Sequence, residues 1–166
     1  GIANYLELEV LETSAINDTE AVVNVMRGCS DLGIKFALDD FGTGYSYLTY
    51  FHRLPIDILK IDQHFVRDIL DEPEDWKIVE GVINLANQYK RPVVAEGVEN
   101  FEIALLLMGI GNNLMQGYAI AKPMPADKVS SWISEWKEKG LWHDFTNIEL
   151  IHQDDIILQV GIYSQQ

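Results

Sequence analysis

Two adjacent carboxylates, Asp39 and Asp40, stand between an apolar run and the segment Phe41-Gly42-Thr43-Gly44. Like charges that close raise each other's pKa or need a cation between them. Glu9, Asp62 and Glu96 each follow another short apolar run. A donor set of five carboxylates suits Mg2+ or Mn2+ better than zinc, which favours His and Cys, and it is large enough for two ions. Two metals about 3.5–4 Å apart clamp the attacking and leaving oxygens of a phosphodiester and generate a nucleophilic hydroxide at neutral pH. Plainer roles compete with this one. Asp39 and Asp40 could form a turn or a cap. Glu96 could cap a helix starting near Asn100, and Gln116 could serve the turn at Gly117. Lys60, inside Ile58-Leu59-Lys60-Ile61-Asp62, is paired with a carboxylate, orients a nucleophilic water, acts as a Schiff-base amine, or is exposed at a strand edge. Gly42 and Gly44 permit close backbone approach, which alone is weak evidence for phosphate binding.

These residues need elements that bring them together. Hydrophobic patterning predicts strands over residues 5–10, 34–38, 55–61, 91–95 and 112–115, and helices over 21–33, 63–70, 75–89, 101–108 and 126–139. Strand and helix alternating at this spacing means parallel strands with right-handed crossovers, an α/β class. The polar residues Glu9, Asp39, Asp40, Lys60, Asp62, Glu96 and Gln116 all fall at the carboxyl ends of the strands. In a β/α barrel those ends form the active face. An open doubly wound sheet would gather ligands only at a switch point. A complete eight-unit barrel takes about 250 residues, and this chain holds about five units, so the first strands are expected outside it.

The chain has 166 residues, with 26 Asp and Glu against 12 Lys and Arg, for a net charge of −14. That charge argues against a nucleic acid polymer as partner. The 48% hydrophobic content is that of a folded domain with a real core. Cys29 is the single cysteine, so no internal disulfide can form, and it is expected to be a small buried residue. Apolar runs at 104–108 and 156–160 are far shorter than the roughly 20 residues that cross a bilayer. The first residues lack both Met and a signal-peptide pattern, so the chain is expected to start inside a larger protein. His52, His64, His143 and His152 show no ligand spacing. Trp132 and Trp136, at i and i+4, and Trp142 are expected to pack on the barrel wall, and Met108, Met115 and Met124 to fill the core.

Five ordered segments carry a resemblance. Leu6-Glu7-Leu8-Glu9-Val10-Leu11-Glu12, Ala37-Leu38-Asp39-Asp40-Phe41-Gly42-Thr43-Gly44-Tyr45-Ser46, Leu54-Pro55-Ile56-Asp57-Ile58-Leu59-Lys60-Ile61-Asp62, Val94-Ala95-Glu96-Gly97-Val98-Glu99 and Gln116-Gly117-Tyr118 resemble the successive motifs of EAL domains, the bacterial cyclic di-GMP phosphodiesterases. The match runs from about Leu6 to Trp136, the C-terminal two-thirds of such a domain. The resemblance implies a (β/α)8 TIM-type barrel, of which this chain supplies the last five units. It also implies hydrolysis of cyclic di-GMP to linear pGpG with Mg2+ or Mn2+.

Carried onto this chain, the resemblance has Glu9 and Asp39 hold metal, Asp39 bridging to a second ion with Asp40 and Glu96. Lys60 orients the attacking water, and Asp62 and Gln116 support the site. Glu96 is a metal ligand, the general base, or both. Glu12 and Glu99 stand behind the site, Glu12 steadying the loop after Asp40. Phe41, Gly42, Thr43 and Gly44 begin the segment that links the site to a dimer interface.

The Glu-Ala-Leu segment that names the family does not occur in the chain, nor does the strand supplying a metal-ligating Asn. Leu11 replaces a usual Thr, Tyr47 a small residue, and Asn113 a usual Asp. The expected partners are cyclic di-GMP, a second subunit, and upstream sensory or GGDEF-type domains. The expected compartment is the cytoplasm, compatible with a membrane-anchored parent. Residues 1–140 are assigned to the domain, and 141–166 to a tail of unknown role. The alternative is an inactive cyclic di-GMP receptor. A Schiff-base aldolase or enolase-like barrel is disfavoured by the number of carboxylates.

Overall fold

The alternation of apolar runs builds an alternation of elements in the computed structural model, which describes residues 1–11, 19–42, 51–112 and 114–139. After a 3-10 turn at Ile2–Tyr5 come β1 (Glu7–Leu11), α1 (Thr19–Ser30), β2 (Lys35–Phe41), β3 (Ile58–Ile61) and α2 (Gln63–Arg67). Then follow α3 (Pro73–Gln88), β4 (Val93–Ala95), α4 (Phe101–Gly109), β5 (Leu114–Met115) and α5 (Ala126–Lys139). The five strands form one parallel sheet in the order β1-β2-β3-β4-β5. This sequential order has no reversal, so it lacks the switch point of a doubly wound sheet and matches consecutive units of a β/α barrel.

Helix ends follow their capping chemistry. Asn100 accepts from the Ile103 amide at 2.9 Å to start α4, and Asp62 accepts from the His64 amide at 2.7 Å to start α2. Pro73 opens α3, with Glu74 and Asp75 in its first turn, where carboxylates oppose the positive end of the helix dipole. That helix buries Val79, Val82, Ile83 and Ala86, the i, i+3, i+4, i+7 stripe of an amphipathic helix. They pack with Leu38, Leu59, Ile61, Val93 and Ala95 of the sheet and with Ile103 and Leu107 of α4 into one core.

Several boundaries differ from expectation for identifiable reasons. Residues 55–57 are not strand. Pro55 has no amide to donate, and Asp57 instead ties the entry of β3 to β2: its carboxylate accepts from the Phe36 amide at 2.8 Å and its own amide donates to the Phe36 carbonyl at 2.8 Å. The first strand begins at Glu7 because the preceding residues wind into the 3-10 turn. The second runs to Phe41, which places Asp39 and Asp40 inside a strand and excludes the turn reading. Cys29 is half-buried rather than buried. Among the described residues no helix is long and apolar enough to cross a membrane. The expectations for Glu12, Thr43, Gly44, Tyr47, Asn113, Trp142, His143, His152 and the tail fall outside the described residues.

Candidate active site

Strand alternation and register decide which side chains meet. Glu9 is registered with Ala37, two residues before Asp39; Lys60 is registered with Val94, two residues before Glu96. Residues two apart share a face. The ladder continues past the strand ends, where the Glu96 amide donates to the Ile61 carbonyl at 3.2 Å and the Gln116 amide to the Ala95 carbonyl at 2.9 Å. Five segments therefore deliver Glu9, Asp39, Lys60, Glu96 and Gln116 to one face, at the carboxyl edge of the sheet. All five line a cavity of about 430 Å3.

Lys60 sits at the centre and is 4% exposed. Its Nζ lies 2.5 Å from Glu9 Oε1, 2.6 Å from Glu96 Oε1 and 3.2 Å from Asp39 Oδ1. The paired reading of Lys60 is the one the geometry supports. Burial pushes its ammonium toward release of the proton, but the hydrogen bonds to Glu9 and Glu96 and the charges of Glu96 and Asp39 outweigh it and hold Lys60 above its ordinary range. A protonated ammonium is no Schiff-base nucleophile. Glu96 is pushed up by burial, partly countered by Lys60 and reinforced by the charges of Asp39 and Glu9. It does not cap α4, a task Asn100 performs.

The neighbouring carboxylates form a second group. Asp40 is raised by burial, then by a hydrogen bond with Asp62 and by the charges of Asp39 and Asp62, with Lys60 opposing. Two carboxyls can hydrogen-bond only by sharing a proton, which a cation can replace. Asp40 holds φ at 55°, a left-handed conformation unusual for a non-glycine residue, where the β2–β3 register shifts between Leu38 and Phe41. That break sets Asp40 toward Asp62 while Asp39 keeps facing Lys60. Asp62 thus both caps α2 and meets Asp40.

The fit to a hard divalent cation rests on these oxygens. Asp39 Oδ1 is buried and accepts no hydrogen bond, since its 3.2 Å approach to Lys60 lacks hydrogen-bond geometry. A buried lone pair of this kind is satisfied by a cation. Glu9, Asp39, Asp40, Asp62 and Glu96 supply oxygen donors only. Among the described residues, however, no three Asp, Glu, His or Cys side chains gather tightly enough to enclose one ion. The chemistry of the donors fits; Lys60 occupies the middle of the set.

Two glycines allow the strand ends to close on each other. A Cβ on Gly117 would lie 2.1 Å from the Val98 carbonyl oxygen and 2.4 Å from its nitrogen. On Gly97, at φ 71°, it would lie 2.6 Å from Gln63 Cβ. Gln116 anchors this contact through its carbonyl, which accepts from the Val98 amide at 3.0 Å. Glu99 lines the cavity and pairs with Arg67 at 2.7 Å. Phe41, expected to begin a loop, ends β2 in the core, its ring 5.7 Å from that of Phe51. Gly42 follows it in a turn.

Other cavity residues were not anticipated. Arg67 at the end of α2, Gln63 at its start, and Lys122 with Tyr118 all line it. Trp132, expected to pack on the barrel wall, also lines it, with its ring 5.3 Å from that of Trp136. Met124 is a lining residue rather than core filler, whereas Met115 is buried and Met108 packs against the core. The available signal for Lys122 and Tyr118 was proximity to Gln116-Gly117; Arg67 had none beyond its charge.

The family model described as EAL domain matches residues 1–123. The cyclic di-GMP phosphodiesterase PA2567 of Pseudomonas aeruginosa is 43% identical over 128 residues, 77% of this chain and 22% of that protein. MucR of the same organism, a bifunctional diguanylate cyclase/cyclic di-GMP phosphodiesterase, is 37% identical over 126 residues, 76% of this chain and 18% of that one. The structure of the MucR phosphodiesterase in complex with c-di-GMP superposes with a TM-score of 0.73 at 37% identity, over 76% of this chain and 51% of that chain. The calcium/cy-diGMP complex of Klebsiella pneumoniae BlrP1 gives 0.67 at 34% identity, over 72% of this chain and 30% of that one. The chain thus spans about a fifth of the length of these curated relatives and half of the MucR structure.

Proposed function

This chain belongs to the EAL domain family, and on that premise we propose that it forms part of a phosphodiesterase hydrolysing cyclic di-GMP to linear pGpG with Mg2+ or Mn2+. Its sheet is then an arc of the family's barrel. The observation that carries the proposal is the convergence of Glu9, Asp39 and Glu96 on buried Lys60 in one cavity.

Hydrolysis adds water across one phosphorus–oxygen bond of the cyclic dinucleotide. Glu96, whose proton affinity burial has raised, is the base that accepts the water's proton. Lys60 fixes Glu96 and Asp39 in place and offers its positive charge to the oxygens that gain negative charge. Glu9, Asp39, Asp40, Asp62 and Glu96 would hold two divalent ions. Bound divalent ions would supply charge for the phosphodiester and acidify water. Gln116 holds the β5 end against Val98, and Glu99 holds Arg67 at the cavity wall.

We assign residues 1–140 to the catalytic domain. A homodimer, linkage to sensory or GGDEF-type domains, and action in the cytoplasm belong to the same proposal. With about half of the MucR structure represented, the chain alone is expected to be inactive. A receptor that binds the nucleotide without cleaving it is the alternative; loss of Asp40, Lys60 or Glu96 would favour it, and all three are in place.

The test incubates cyclic di-GMP with this chain and with the full-length protein, in Mg2+, Mn2+ or chelator, and separates the products. Metal-dependent pGpG from the full-length protein supports the proposal. Binding of the nucleotide with no cleavage by the full-length protein establishes the receptor instead.

A further inference from the structure

In a chain with 26 Asp and Glu against 12 Lys and Arg, surface that gathers bases without acids runs against the composition. Such surface lies at the amino edge of the sheet, across from the cavity. Phe51-His52-Arg53-Leu54-Pro55, ahead of β3, and Asn87-Gln88-Tyr89-Lys90-Arg91-Pro92, ahead of β4, contain three cations, one histidine and no acid. The two segments touch. The Phe51 ring meets that of Tyr89 edge-on at 5.1 Å, the Arg91 guanidinium lies 5.6 Å over Phe51, and Arg91 Nη2 donates to the Leu54 carbonyl at 3.4 Å. Phe51 is buried whereas Tyr89 is 46% exposed, so the ring pair fixes the segments and leaves Tyr89 partly in solvent. His52, Arg53 and Lys90 are exposed and Arg91 is half-buried. None of the three cations forms an ion pair with a carboxylate among the described residues. The charge of Asp57 acts on Arg91, and that carboxylate is already engaged by the Phe36 amide at 2.8 Å. Lys90 and Arg91 follow the C-terminus of α3, where the helix dipole favours cations. Arg53 comes from the other segment, which the dipole does not explain.

We propose that this amino-edge patch docks an acidic segment of a partner protein, a peptide stretch with several Asp or Glu whose carboxylates meet Arg53, Lys90 and Arg91 and whose apolar side rests on Tyr89. Charge complementarity favours an anion, and the rest of the chain favours a short one. A membrane or a nucleic acid spreads its charge over a surface wider than the patch and is repelled by the net charge of −14. A peptide segment confined to the patch is screened from the remaining acids beyond about 8 Å at physiological salt. The patch lies at the starts of β3 and β4, whereas Lys60 and Glu96 lie toward or beyond their ends, so a docked segment leaves the cavity open and the proposal is independent of the cyclic di-GMP reading.

The experiment titrates the full-length protein into a fluorescently labelled peptide of alternating Glu and Ser around a central Leu, and into the same peptide with Gln for Glu, and reads anisotropy. The patch variant combines Arg53→Gln with Lys90→Asn, since Asn tolerates the left-handed φ of 53° at Lys90. A charge-matched control combines Lys77→Gln with Lys128→Gln, both exposed and remote from the patch. Thermal melts establish that each variant is folded. The wild type is expected to bind the Glu peptide, more weakly as salt rises, and to bind the Gln peptide about tenfold or more less tightly. The patch variant should lose about five- to tenfold in affinity for the Glu peptide, and the control less than about twofold. No binding of the Glu peptide by the wild type, or equal losses in the two variants, would overturn the proposal. Binding to phosphatidylserine vesicles in place of the peptide, abolished in the patch variant, would give the patch to a membrane and overturn it. So would an oligomer that dissociates in the patch variant by sedimentation velocity, which would give the patch to a second copy of the chain.

Discussion

Lys60→Met removes the ammonium but keeps a flexible apolar stem, so the change isolates the charge. In the native protein Asp39 and Glu96 have side chains 17% exposed and Glu9 52%. Glu9 remains solvated and loses little when its partner goes. Asp39 and Glu96 are left as adjacent half-buried carboxylates, and removing one partner of a buried pair costs about 3–5 kcal/mol. With Glu9 discounted, the lower end applies, roughly 3 kcal/mol, a fall in Tm of about 6–12 °C for a chain of this size.

The loss should depend on pH in a definite direction. Lys60 is what opposes the upward shift of Glu96 from its ordinary 4.5. Without it the folded-state pKa rises further, so the folded variant binds this proton more tightly than the unfolded chain. The variant then gains stability as pH falls through that folded value, and its deficit is largest above it. Urea unfolding of both proteins in chelator, at pH 8 and pH 5, measures this. A deficit near 3 kcal/mol at pH 8 that shrinks at pH 5 is expected. An equal deficit at both pH values, or none at pH 8, would refute the claim that Lys60 compensates half-buried carboxylates.

Gly117→Ala drives a methyl into the Val98 backbone and strains the bonds from the Val98 amide to the Gln116 carbonyl and from the Ala119 amide to the Val98 carbonyl, each 3.0 Å. Overpacking with two weakened hydrogen bonds should cost roughly 3–5 kcal/mol, read by urea unfolding. Asp40→Asn should raise the Tm in chelator by about 2–4 °C while lowering hydrolysis, since Asn tolerates φ 55° and ends the repulsion with Asp39 and Asp62. Asn100→Ala removes the cap of α4 and should cost about 1 kcal/mol in thermal melts, without changing nucleotide affinity.

The strand order and the convergence of Glu9, Asp39, Lys60, Glu96 and Gln116 were legible in the sequence. Each strand is a short apolar run ended by a polar residue, and parallel pairing aligns those ends. The division of labour between Asp39 and Asp40 was not. It depends on a register shift and a left-handed residue inside β2, which adjacency alone does not encode. Pairing of Lys60 with carboxylates stood among several options, and only the distances select it. Arg67, Lys122 and Trp132 could not be read as cavity residues, because each belongs to a segment whose placement relies on tertiary packing. Trp132 illustrates the limit, since its i, i+4 spacing with Trp136 fits equally a buried stripe and a cavity wall.

The central claim is that the cavity's half-buried carboxylate Glu96 does base chemistry on a cyclic dinucleotide, and Glu96→Gln tests it most directly. Full-length wild type and variant are compared for cyclic di-GMP turnover in Mg2+, with nucleotide affinity measured in parallel. The account predicts a fall in kcat of about 10²–10⁴-fold, the usual contribution of a general base, with the nucleotide still bound. Turnover by the variant at the wild-type rate, or a wild type that binds cyclic di-GMP and never cleaves it, would contradict it.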